Sequence, residues 1–151
     1  MHILLITRVS GTPTDVFEQF DHNLLLKLSP PLMKVRLLQF DAPMKVGNVV
    51  HVEVKIMGII RQEWYNVISE VSNSPDSHFF TDVGVRLPGM FSEWQHKHWV
   101  RKGADGCTEI VDDIHYKSVN RLLTALIYPL VFLQFWYRKP IYRRTFGKPK
   151  P

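Results

Sequence analysis

Apolar and polar side chains alternate with period two along most of residues 35–116, and the pattern turns helical after residue 116. Strand side chains point to opposite faces in turn, so each alternating run marks a half-buried strand. Residues 2–9 form a short apolar strand ended by Ser10-Gly11. Thr12-Pro13 then starts a helix, because the hydroxyl offers a capping oxygen and proline loses no needed donor at the first helical position. Val16, Phe17 and Phe20 give that helix an apolar stripe. A second short helix, beginning near Asp21 or His22, carries Leu24, Leu25 and Leu28 until Ser29-Pro30-Pro31 stops it. Strands follow over 35–40, 48–57, 60–71 and 78–87, with residues 72–77 as a loop. Val50, Val52, Val54 and Ile56 share one face, against His51, Glu53 and Lys55. In the 78–87 strand, Phe79, Thr81, Val83, Val85 and Leu87 share the face expected to point inward. Short reversals between consecutive strands make an antiparallel meander.

Residues 91–116 complete it with two strands around the turn 102–106. Trp94, His96, His98 and Val100 alternate with Gln95, Lys97, Trp99 and Arg101, so the charged set faces water. Thr108, Ile110, Asp112, Ile114 and Tyr116 likewise share the inner face of the next strand. Two imidazoles and a carboxylate therefore stand among apolar neighbours, where polar groups must be hydrogen-bonded or cost about 1–3 kcal/mol each. A turn that sets Arg101 opposite Cys107 lays His96 directly across from Asp112, within reach of an imidazole–carboxylate hydrogen bond. A slip by two residues puts His98 or Trp94 there instead. A slip by one turns the charged face inward, which the pattern forbids.

Residues 122–137 are apolar except Thr124 and Gln134, and Arg138, Lys139, Arg143 and Arg144 follow. Such a run before a basic cluster also fits a membrane anchor. Its 16 residues fall short of the roughly 20 needed to span a bilayer, and Pro129 interrupts it. A helix apolar on most sides is expected to be buried against the sheet, with the cations suiting its C-terminal dipole.

The chain of 151 residues has a net charge of +5, but the charge is unevenly placed. Residues 1–116 hold 11 Lys/Arg and 14 Asp/Glu, whereas residues 117–151 hold 8 Lys/Arg and no acid. A basic end on one helix does not make the broad basic surface of a nucleic-acid binder, so no nucleic acid is expected as a partner. The apolar N-terminal stretch is too short for a secretion signal, and the single Cys107 cannot form an internal disulfide. Residence in the cytoplasm is expected, and Cys107, on an outward face, reads as incidental. One domain over 1–151 is the simplest organisation.

The expected order is one strand, two short helices, six antiparallel strands and a long C-terminal helix. That is the α+β layout of the helix-grip fold, in which a curved sheet wraps the last helix and leaves a cavity. The motifs Phe91-Ser92-x-Trp94-x-His96-x-His98, Gly106-x-Thr108-x-x-x-Asp112-x-x-x-Tyr116 and Phe135-x-Tyr137-Arg138 resemble the SRPBCC superfamily, in its WxHxH branch. These START-like proteins include polyketide cyclases/dehydrases and lipid-transport proteins. The resemblance implies a cavity for a hydrophobic small molecule and no obligatory cofactor. One departure is Lys117-Ser118-Val119-Asn120, which lacks a Pro-Leu-Gly-like lead-in to the last helix and implies a different cavity mouth.

The wall of that cavity is expected from Val52, Val54, Val83, Val85, Trp94, Ile110 and Leu126, and its polar groups from His96, His98, Asp112 and Tyr116. His96 and Asp112 also fit a proton shuttle for a cyclase or dehydratase, or a satisfied internal hydrogen-bond network. His96, His98 and Asp112 could ligate a metal, but no fourth ligand is evident, since His51, His78 and His115 read as outward or loop residues; no metal is expected. Trp99, apolar on an outward face, reads as lying under a loop or at a homodimer contact. Membrane or partner binding through the basic end is the remaining alternative.

Overall fold

The computed structural model describes residues 1–31 and 33–149. Strand β1 (His2–Val9) leads into helices α1 (Pro13–Glu18) and α2 (His22–Lys27). Thr12 caps α1 by accepting from the Asp15 N–H, and Asp21 caps α2 by accepting from the Leu24 N–H. Six strands follow: β2 (Met33–Phe40), β3 (Val49–Ile56), β4 (Ile60–Ser74), β5 (Ser77–Arg86), β6 (Phe91–Lys102) and β7 (Thr108–Ser118). Helices α3 (Arg121–Trp136) and α4 (Arg138–Phe146) end the chain.

All seven strands form one antiparallel sheet, in the order β1-β7-β6-β5-β4-β3-β2. Register shifts between Leu37 and Gln39, Tyr65 and Asn66, Ile68 and Glu70, and Phe91 and Glu93 bend the strands. Bulges increase local twist, so the sheet curves around the helices. The loop expected over 72–77 shrinks to Pro75-Asp76, because Ser72, Asn73 and Ser74 pair with Phe79, His78 and Ser77. Polar composition alone does not stop two facing backbones from pairing.

Two apolar clusters hold the helices on the concave face. Ile3, Leu5, Trp94, Ile114 and Tyr116 pack under Ile127, Val131 and Phe135 of α3. Val9, Val100 and Ile110 pack with Val16, Leu24, Leu28 and Tyr142 from the other helices. Both clusters lie over β1, β7 and β6. No residue of β3 is fully buried, which leaves room beneath that side of the sheet.

The last helix packs on the sheet as expected, with two features that composition alone did not reveal. It breaks at Tyr137, where Pro140 supplies no N–H to the Trp136 carbonyl four residues back. It is also not apolar-and-buried all round, because the sheet covers one side only. Thr124, Ile127, Val131 and Phe135 are buried, while Leu122, Leu126, Leu130 and Leu133 stand 55–72% exposed along the opposite side. Among the described residues no helix is long and apolar enough to cross a membrane.

Candidate functional site

A cavity of about 740 Å³ opens between β2–β4 of the sheet and helices α2 and α3. Its sheet wall is made of Val35, Val50, Val52, Val54, Ile56 and Trp64, the inner set that period-two alternation selects. Leu24, Leu28, Val131 and Phe135 close it from the helix side. At one end the lining turns polar, with Asn66, Asp82, His96, His98 and Arg138.

Strand pairing assembles that end. Asp82 of β5 lies directly across from His96 of β6, and His98 lies directly across from Asp112 of β7. The side chains nevertheless bond along the diagonals. His96 Nε2 meets Asp112 Oδ1 at 3.0 Å, and His98 Nε2 meets Asp82 Oδ2 at 3.0 Å. The register is thus two residues away from the one that set His96 opposite Asp112, because Lys102 pairs with Thr108 and the turn is Gly103–Cys107. Diagonal neighbours lie within reach of long side chains, so the His96–Asp112 contact survives the shift.

The surroundings of each group are fixed. Asn66 Nδ2 donates to Asp82 Oδ1 at 2.5 Å, and His96 Nδ1 faces Asp82 Oδ2 at 3.7 Å. Arg138 reaches Asp112 Oδ1 with Nη1 at 3.5 Å, its guanidinium 4.1 Å over the Phe135 ring. Phe80 stacks on His98 at 4.3 Å, and the His96 and His98 ring centroids are 3.6 Å apart. His96, Asp82, Asp112 and Arg138 are all buried.

Burial raises the cost of charging the His96 imidazole and, with His98 alongside, pulls its pKa down to about 4 against the hydrogen bond to Asp112. Burial acts against the ionised carboxylates as well, but hydrogen bonds from His98 and Asn66 to Asp82 outweigh it. His96 and Arg138 do the same for Asp112, so both carboxyls titrate below the usual range.

The expected site residues divide. Val52, Val54, Trp94, His96 and His98 line the cavity. Asp112 sits behind His96, in contact with it and with Arg138. Ile110 is buried in the second apolar cluster, and Tyr116 donates its hydroxyl to the Thr124 carbonyl. Val83, Val85 and Leu126 are outside the cavity, Val85 and Leu126 being 66% and 64% exposed. The face of β5 is the reverse of the expected one: Phe80 and Asp82 point in, while Phe79 lies edge-on to Trp99 with the Lys97 ammonium 3.7 Å above its ring. Hydrophobic alternation favoured Phe79, Val83 and Val85, but an aromatic patch capped by a lysine stem meets the same need on the outer face. Trp99 is accounted for by that packing. His78 is buried rather than looped, stacked on Phe17 and hydrogen-bonded to Asn73 and Thr14.

Asp82, Asn66 and Arg138 were not foreseen as site residues. The signal for Asp82 lay in its strand neighbour: paired residues share a face, so a β5 position across from His96 must also point inward. Arg138 was marked only as the end of the Phe135-x-Tyr137-Arg138 motif, without a role; within the basic run its charge did not set it apart from Arg143 and Arg144, both exposed.

This architecture is the helix-grip fold, and solved structures share it over nearly the whole chain. A START superfamily protein from Mycobacterium smegmatis superposes with a TM-score of 0.69 at 7% identity, covering 96% of each chain. A major latex-like protein from Panax ginseng gives 0.67 at 17% identity, covering 99% of this chain and 98% of its own. An aromatase/cyclase from a Streptomyces species gives 0.64 at 13%, covering 96% and 95%. No family model matches the sequence, and no curated protein matches it.

Proposed function

We propose that this protein binds a hydrophobic small molecule between the β2–β4 side of the sheet and α3, with the ligand's polar end against the Asp82–His98 side of the buried cluster. One observation carries the reading: an apolar cavity of about 740 Å³ that ends on a few convergent polar groups. Small-molecule sites have this size and this division of labour, in which apolar walls provide affinity and sparse polar groups set orientation. Native mass spectrometry of the protein purified from its own host tests it. A retained small molecule, displaced by a fluorescent apolar probe, is the expected result; a protein that never carries or takes up such a molecule refutes it.

The cyclase or dehydratase reading with His96 as proton shuttle is less well supported. Both nitrogens of His96 face carboxylates, and its low pKa leaves it a weak base at neutral pH. A second reading with an observation behind it is contact with an anionic membrane during ligand exchange. Leu130, Leu133, Trp136 and Met57 border the cavity and are all more than half exposed, with Lys139, Arg143 and Arg144 beyond them. An apolar rim beside basic residues suits insertion into an anionic lipid surface. Co-sedimentation with phosphatidylserine vesicles, reduced in Leu130→Ser/Leu133→Ser, supports it; no co-sedimentation of the wild type rejects it.

A further inference from the structure

We propose that Asp82, His96 and His98 form a binding site for a divalent transition-metal ion at the polar end of the cavity. Three side chains from adjacent strands aim one ligand atom each at a common point. Asp82 Oδ2 is 3.0 Å from His98 Nε2 and 3.7 Å from His96 Nδ1, and all three atoms lie within 4.8 Å of one another. Ligands held at about 2.1 Å around a tetrahedral ion stand about 3.4 Å apart. The two Asp82 separations bracket that value. The bond to Asp82 places the His98 hydrogen on Nε2, so an ion enters as that hydrogen moves to Nδ1, a buried atom with no hydrogen-bond partner among the described residues.

The hydrogen-bonding of His96 points the same way. An ionised carboxylate only accepts, so the bond to Asp112 assigns the hydrogen to Nε2. The Nδ1 of the neutral ring is then a bare lone pair facing Asp82 Oδ2, two acceptors turned toward each other. A cation between them converts that repulsion into ligation. Behind the three atoms stands a supporting shell. Asp112, itself paired with Arg138, holds the far nitrogen of His96, and Asn66 holds the far oxygen of Asp82. Carboxylate–imidazole–metal relays of this kind orient ligands and raise their basicity.

Charge gives a further reason. Among the described residues of this cluster, two buried carboxylates face one buried guanidinium, which pairs with Asp112. Asp82 has no fixed cation, and a buried charge is costly unless compensated. Two nitrogens and one oxygen suit zinc or iron(II), with the remaining coordination position facing the cavity. The proposal does not depend on the hydrophobic ligand, because its test uses the metal ion alone.

The test is calorimetric titration of the chelator-treated full-length chain with Zn²⁺. A second cluster, His2, Asp113 and His115, lies at the protein surface and could take up zinc adventitiously, so the titration is repeated in His2→Ala/His115→Ala. One equivalent of Zn²⁺ retained in that double variant, with a raised Tm, is expected. Asp112→Asn should weaken binding by about 10–100-fold and Asp82→Asn by more. No zinc uptake by the folded wild type, uptake lost in the double variant, or unchanged affinity in a folded Asp82→Asn each overturns the site. The first two outcomes require no core variant to fold.

Discussion

His96 and Asp112 are hydrogen-bonded at 3.0 Å without being cross-strand partners: His98 occupies the position directly opposite Asp112, and Asp82 the one opposite His96. Each imidazole therefore reaches a diagonal carboxylate, and β5, β6 and β7 are linked through one buried polar network. Arg138, delivered by α4, attaches the C-terminal helices to the same network.

Removal of Asp112 leaves Arg138 and His96 without their shared acceptor in a dry environment. Asp112→Ala should cost about 3–5 kcal/mol, the usual penalty for breaking a buried pair. Asp113→Ala, next in sequence but on the outer face beside His2 and His115, should cost less than about 1 kcal/mol. Urea unfolding of the two variants measures the contrast. Equal losses would mean that the inner network adds nothing specific.

The acid side of the stability curve of the metal-free protein should carry a signature of His96. Its folded pKa is about 4, against roughly 6.5 in an unfolded chain. Between those values the unfolded state binds the extra proton, so stability rises with pH and falls as pH drops from 6.5 toward 4. The total is about 3 kcal/mol. Asp82 and Asp112, whose pKa values are also lowered, add losses of the same sign at lower pH. Denaturant titrations between pH 4 and 7 should show this slope in the wild type and a shallower one in His96→Gln.

Filling the cavity separates its wall from residues that only share the alternation. Val54 lines the cavity, so Val54→Trp should lower affinity for a fluorescent apolar probe at least about tenfold, roughly 1.4 kcal/mol. Val85 is outward, and Val85→Trp should leave affinity unchanged. Equal effects of the two would place the probe elsewhere.

Cys107 should be a poor nucleophile. Partial burial and the hydrogen bond and negative charge of Asp105 push its thiol up to about 11. The thiolate is the reactive form, so alkylation by iodoacetamide at pH 8 should be slower than for a free cysteine. Asp105→Asn should accelerate it. A wild-type rate matching free cysteine would contradict the assigned environment.

The meander, the two short helices and the inner faces of β3, β6 and β7 were legible in the sequence. Period-two alternation and helix caps are local, and each is satisfied within a few residues. His96, His98 and Asp112 were readable as inward polar groups for that reason. What no local pattern contains is the partner of a strand. Only pairing with β6 turned Asp82 inward, against an alternation that favoured Val83 and Val85, and only the registers of β6 on β5 and on β7 made the two His–Asp bonds diagonal. The same holds for α3, whose composition is apolar all round: a sheet can cover one side of a helix, and the tertiary structure chose Ile127, Val131 and Phe135 over Leu122, Leu126 and Leu130. Arg138 entered the site because the chain breaks after Tyr137 and folds α4 back onto β1, a long-range packing decision with no counterpart in the basic run itself.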